Sequence, residues 1–135
     1  MPAPFTTLPA LLIAGLFASA VFAEEAPSFT DLSACRLDAE RVLLTATFDG
    51  GACQAVEPAQ LAEPRGTIVA VTIPTVSTSE MCTMQIVPIA VEQVIEAHAD
   101  IANLDVTVLD PQNNAQAHGT VEIADPGADC VAPAD

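Results

Sequence analysis

Arg41–Phe48, "RVLLTATF", sets Val42, Leu44, Ala46 and Phe48 against Leu43, Thr45 and Thr47. Side chains of an extended chain point alternately to its two faces, so this period of two predicts a half-buried β-strand. Asp49-Gly50-Gly51 follows as a turn, and "ACQAVE" (residues 52–57) resumes as a short strand. "TIVAVTI", Thr67–Ile73, is β-branched nearly throughout and predicts a buried strand closed by Pro74. Polar residues 75–80 lead into "MCTMQIVPIAV", read as a strand beginning near Met81. Leu104–Leu109 and His118–Ala124 complete the set, separated by the turn signal Asp110-Pro111-Gln112-Asn113-Asn114.

One segment, residues 88–104, fits two periods. Val91, Val94, Ile95 and His98 would share a helical face, whereas Ile89, Val91 and Ile95 would share a strand face. The frequency of Val and Ile favours the strand. Short strands with turn signals every eight to twelve residues predict an all-β, antiparallel β-sandwich.

The two ends of the chain bear on where this domain works. Residues 1–23 read as a signal peptide: Leu11–Phe22 is an apolar run, and Val21 and Ala23 are the small residues a signal peptidase reads. Pro9 and Glu24 confine that run to fewer than the roughly 20 apolar residues a spanning helix needs. No cysteine follows the cleavage site, so a lipid membrane anchor is not expected either. Removing 23 of the 135 residues leaves 112, a single domain over 24–135. Every charge lies in that mature part: eighteen Asp and Glu against Arg36, Arg41 and Arg65, with no lysine. A net charge of −15 opposes binding to nucleic acid or anionic lipid and suits solubility in a salty exterior. Trp and Tyr are both absent, which removes the usual stacking platforms for sugars and for single-stranded nucleic acid.

A glycine-preceded Cys53 after the Arg41–Phe48 strand, a strand of Ile and Val, then Cys82-Thr83 and Pro88 in "MCTMQIVP" form a recognisable series. Over Val42–Pro88 the chain resembles small exported bacterial β-sandwich proteins of Ig-like form. That resemblance implies an Ig-like sandwich and pairing of Cys53 with Cys82, and it brings no activity with it. Four cysteines in an exported chain allow three disulfide pairings. With Cys53–Cys82 joined, Cys35 and Cys130 form the second bridge. The alternative, Cys35–Cys53 with Cys82–Cys130, staples consecutive strands and remains open at this level.

Other chemistry finds little support. Met81, Cys82 and Met84 are soft ligands of the kind that select Cu(I). On a strand, however, Met81 faces away from the other two, Met84 serves as core filler, and an oxidising compartment turns the Cys82 thiol into a disulfide. His98 and His118 are the only imidazoles. Glu96 and His98 share a strand face, but His98 closes one strand, His118 opens another, and no third ligand stands at a telling spacing. Asp110, Asn113 and Asn114, or Asp125 and Asp129, are candidates for a loose Ca²⁺ site, but neither group follows EF-hand spacing. Ser28, Ser33, Ser77 and Ser79 lie in no nucleophile elbow, and eighteen acids guarantee chance carboxylate pairs.

The sequence therefore describes an Ig-like sandwich with two disulfides, periplasmic or secreted, without catalytic residues or cofactor. It is expected to act as a non-enzymatic binding or structural module of unknown protein partner, with periplasmic copper or calcium handling as the alternative. Mass analysis of the exported protein is expected to place its first residue at Glu24; a chain retaining Leu11–Phe22 would mean a membrane anchor.

Overall fold

A computed structural model describes residues 28–127 and Cys130. The expected signal segment, residues 1–23, and Asp129 lie outside the described residues. The chain is all-β: β1 (Asp31–Arg36), β2 (Arg41–Gly51), β3 (Gln54–Val56), β4 (Gln60–Leu61), β5 (Ile68–Ile73), β6 (Thr75–Ser77), β7 (Ile86–Glu96), β8 (Asn103–Leu109) and β9 (Ala115–Ala124). Seven strands form one curled sheet in the order β4-β5-β8-β9-β1-β2-β7, and β3 with β6 forms a two-stranded ribbon.

The alternation seen in Arg41–Phe48 becomes the inner face of β2, where Val42, Leu44, Ala46 and Phe48 are buried. Register carries the apolar rows across the sheet. Ala46 lies between Leu32 and Val91, and Val42 lies beside Ile95. On the other wing Val71 pairs with Val106, and Ile73 with Val108, which in turn faces Ala117. Because these side chains are small, the interior is narrow, and curvature brings the two wings into one core. The largest buried side chain, Phe48, meets the edge of Phe29 at 6.4 Å between ring centroids, an aromatic geometry favoured by the ring quadrupoles.

Several expectations change. The sheet is not purely antiparallel: β1 pairs with β9, and β5 with β8, in parallel. Thr67–Ile73 is buried on one face only, because Ile68 and Ala70 point outward while Val69, Val71 and Ile73 point in. Residues 88–104 divide into most of β7, a turn and the first two residues of β8, with Val91 and Ile95 on the inner strand face. Thr75 belongs to β6 rather than to a connection. It is buried, donating to the Leu109 carbonyl at 2.7 Å and accepting from Gln54 Nε2 at 2.7 Å.

Polar side chains close the ends of the curl. Arg36, at the end of β1, donates to the carbonyls of Ala97 (2.6 Å), His98 and Ile101 (3.0 Å), so one guanidinium caps the turn between β7 and β8. At the seam between edges β7 and β4, the inward-facing Gln93 acts as a substitute backbone. Its Oε1 accepts from the Ala59 N–H (2.8 Å), and its Nε2 donates to the Glu57 carbonyl (3.0 Å). The β1–β2 turn is held by Asp38, whose carboxylate accepts from the Glu40 and Arg41 amides and from Arg41 Nε. The Glu40 amide first, and then Arg41, hold that carboxyl below its usual range. A carboxyl lowered on folding stabilises above the ordinary aspartate range, and this is lost as pH falls through the lowered value.

Hydrogen bonds from a charged donor to partly buried carbonyls are the strong kind, and losing the donor leaves the acceptors unpaired. Arg36→Gln is therefore expected to cost about 2–3 kcal/mol in urea unfolding. Arg65→Gln, in the exposed turn before β5, should leave the midpoint unchanged within error.

Candidate functional site

Two disulfides hold the chain. Cys35–Cys130 has a Cα–Cα distance of 5.9 Å and Cys53–Cys82 one of 5.8 Å, both in the range a bridge requires. Of the two pairings open in the sequence, the structure has the one that joins Cys53 to Cys82. Bridges of this kind persist in an oxidising compartment. The first bridge lies on the outer face, where Cys35 sits opposite Leu43 in the register of β1 and β2, and Leu43 is buried there.

The second bridge makes the more unusual feature. Residues 78–85 are not a strand, because β7 begins only at Ile86. Cys82 therefore tethers a loop to the start of β3, helped by the Thr78 amide on the Cys53 carbonyl and the Ala52 amide on the Gln85 carbonyl. Met84, expected in the core, is fully exposed instead, while Met81 is 89% and Ile86 76% exposed. The periodicity argument failed at Met84 because it presumed extended chain from Met81 onward. Three large apolar side chains in one short stretch of surface exceed the usual scatter of single exposed residues.

Beneath this loop lies an open groove of about 610 Å³. Phe48, Gly50, Gly51, Met84, Ile86 and Ala117 are among the residues that line it. The Gly50 position has no room for a side chain: a Cβ there would stand 2.4 Å from Ile89 Cδ1 and 2.8 Å from Gln54 Oε1. Gln54 braces the corner, accepting from the Gly51 amide at 2.9 Å and donating to Gln116. Among the described residues no buried side-chain nitrogen or oxygen lacks a partner, so this corner is fully bonded.

The groove runs into the free edge of the sheet. The Ala97 amide bonds the Glu40 carbonyl at 2.8 Å, and the Ala52 amide bonds the Gln85 carbonyl at 3.2 Å. Antiparallel pairing alternates, so the odd-numbered residues of β7 bond to β2 and the even-numbered ones turn their backbone groups outward. Ile86, Pro88, Ala90, Glu92, Val94 and Glu96 thus present the edge. Pro88 falls where its missing N–H leaves no ladder bond unmade. The opposite edge, β4, is only two residues long.

The other sequence candidates do not assemble. His118 lies inside β9 rather than at its start, bonded to Asp105 on the neighbouring strand, while His98 stands in the turn after β7. Asp110 Oδ1 accepts from the Gln112 and Asn114 amides, both at 2.9 Å, and Asn113 takes a positive φ of 68°, so this group forms an Asx turn. Among the described residues no three His, Cys, Asp or Glu side chains converge as a metal site would require. The signal that could have revealed the groove was Gly50-Gly51 before Cys53, read only as a turn.

No protein-family model matches the chain, and no curated protein and no solved structure is significantly similar to it.

The chain-entropy relation assigns the 29-residue Cys53–Cys82 span about 3.6 kcal/mol and the 95-residue Cys35–Cys130 span about 4.7 kcal/mol. Urea unfolding of the Cys53→Ser/Cys82→Ser and Cys35→Ser/Cys130→Ser pairs is expected to rank in that order, with the second pair the less stable.

Proposed function

We propose that this chain is an exported, non-enzymatic binding module of Ig-like form, periplasmic or secreted, that engages a protein partner along the free edge of β7 and the adjoining groove. The observation that carries this reading is the conjunction of an 11-residue edge strand with exposed Met81, Met84 and Ile86 at its head. Main-chain groups on an open edge supply affinity when a partner segment adds a strand, and an apolar pocket at one end fixes its register. The pairing of β1 with β9 supports the Ig-like assignment, since first and last strands commonly neighbour each other in that form. The two bridges support export.

A second reading, copper handling, draws on the same loop. Cys82 is bonded to Cys53 and offers no thiolate, but the exposed thioethers of Met81 and Met84 remain soft donors. A thermal shift with Cu(I) that disappears in Met81→Leu/Met84→Leu would favour it.

The binding reading is tested by placing a photo-reactive amino acid at Ile86 and, separately, at Thr120 on the exposed outer face of β9. Irradiation in the native exterior compartment is expected to yield a protein adduct from position 86 and none from position 120. Adducts from both positions alike, or from neither, would remove the edge from consideration.

A further inference from the structure

We infer that the segment received by the β7 edge is an extended, basic strand with a large apolar residue at the end nearest the groove. This rests on the binding reading above and names the chemistry of the partner.

The argument begins with what the edge displays. Beyond Pro88 the outward positions are Ala90, Glu92, Val94 and Glu96, so two carboxylates four residues apart lie on one face of the strand, about 13 Å apart at the usual rise. Among the described residues neither makes an ion pair. Of the three arginines, Arg36 is committed to three carbonyls and Arg41, which faces Glu96 in register, to Asp38 at 2.6 Å, while Arg65, in the exposed turn before β5, makes no ion pair with either glutamate. Opposite charges placed directly across a strand pair attract, and like charges repel. A partner strand laid on β7 therefore gains from Lys or Arg opposite Glu92 and Glu96.

The head of the edge asks for something different. Ile86 and Met84 border the same groove as Phe48 and Ala117, and this largely apolar lining is open to solvent. An apolar side chain of the incoming strand is the group that this space takes.

A second copy of the chain is the competing occupant, and charge decides against it. Each chain carries −15, and β7 laid against β7 would bring Glu92 and Glu96 near carboxylates of the same kind. The edge thus discourages self-pairing while favouring a cationic strand, and such charge rows are a known means of protecting an edge from its own kind. An anionic membrane surface is disfavoured by the same field.

The test uses the oxidised exported chain and synthetic ten-residue peptides alternating Arg with Val and beginning with Leu. Binding is read by fluorescence anisotropy at low and moderate salt. The basic peptide is expected to bind at least tenfold more tightly than the same peptide with Glu for Arg, and more weakly as salt rises. N-methylation of its alternate amides is expected to weaken binding at least tenfold, which surface charge attraction alone would not produce. Glu92→Lys/Glu96→Lys should invert the preference between the two peptides, and its circular dichroism reports whether the sheet is intact. Equal binding of both peptides, indifference to N-methylation, sedimentation of the chain as a dimer, or retention on anionic vesicles would each overturn the inference. Loss of peptide preference with position-86 adducts still forming defeats this inference alone; absence of those adducts defeats the binding reading itself.

Discussion

The interior of this protein is filled by small branched side chains, and that constraint shapes everything around it. Among the described residues Phe48 is the one ring in the buried core; the other apolar side chains there are Val, Leu, Ile and Ala. A flat sheet carrying such residues would leave them half wet, since among the described residues no helix packs over it. By curling, the sheet turns its own inner face into both sides of the core, so that Val42, Leu44 and Val91 on one wing and Val71, Leu104 and Val106 on the other belong to a single cluster. Burial of this kind is the main favourable term in folding, and it scales with area rather than with any particular contact.

Curling creates a closing problem that side chains solve. A half-barrel leaves two edges and two ends with backbone groups to satisfy. Gln93 spans the seam with an amide that imitates a peptide group, and Arg36 gathers three carbonyls at one end. At the other end Thr75, Gln54 and Gln116 link the β3–β6 ribbon to the main sheet. Each of these residues looks like ordinary surface polarity in the sequence. Their roles depend on partners between 21 and 65 positions away.

The proposed binding surface lies where that closure stops. Gln93 holds the seam in the second half of β7, yet among the described residues no strand pairs with its outward backbone, and the Cys53–Cys82 bridge holds an apolar loop at its head. Covalent tethering offsets the entropy that a long exposed loop would otherwise lose on meeting a partner. The staple thus contributes to the fold and to preorganisation of the groove together.

Much of the strand pattern was legible because it is local. A period of two in Arg41–Phe48, β-branching in Thr67–Ile73 and Asx chemistry at Asp110 act between near neighbours, and the structure keeps all three in recognisable form. β1 was harder to see, since its inner face carries only Leu32, Ala34 and Arg36, and Arg36 gains its place from the β7–β8 turn. Met84 was misjudged because the chain from Thr78 to Gln85 is fixed by a disulfide and two backbone hydrogen bonds rather than by strand pairing. By itself the sequence determined an all-β chain, its acidity and its supply of four cysteines. The tertiary structure alone decided the parallel pairs, the free edge at β7 and the exposure of Met81, Met84 and Ile86. Those depend on which strands meet, and neighbouring residues in a chain carry little information about partners that only folding brings together.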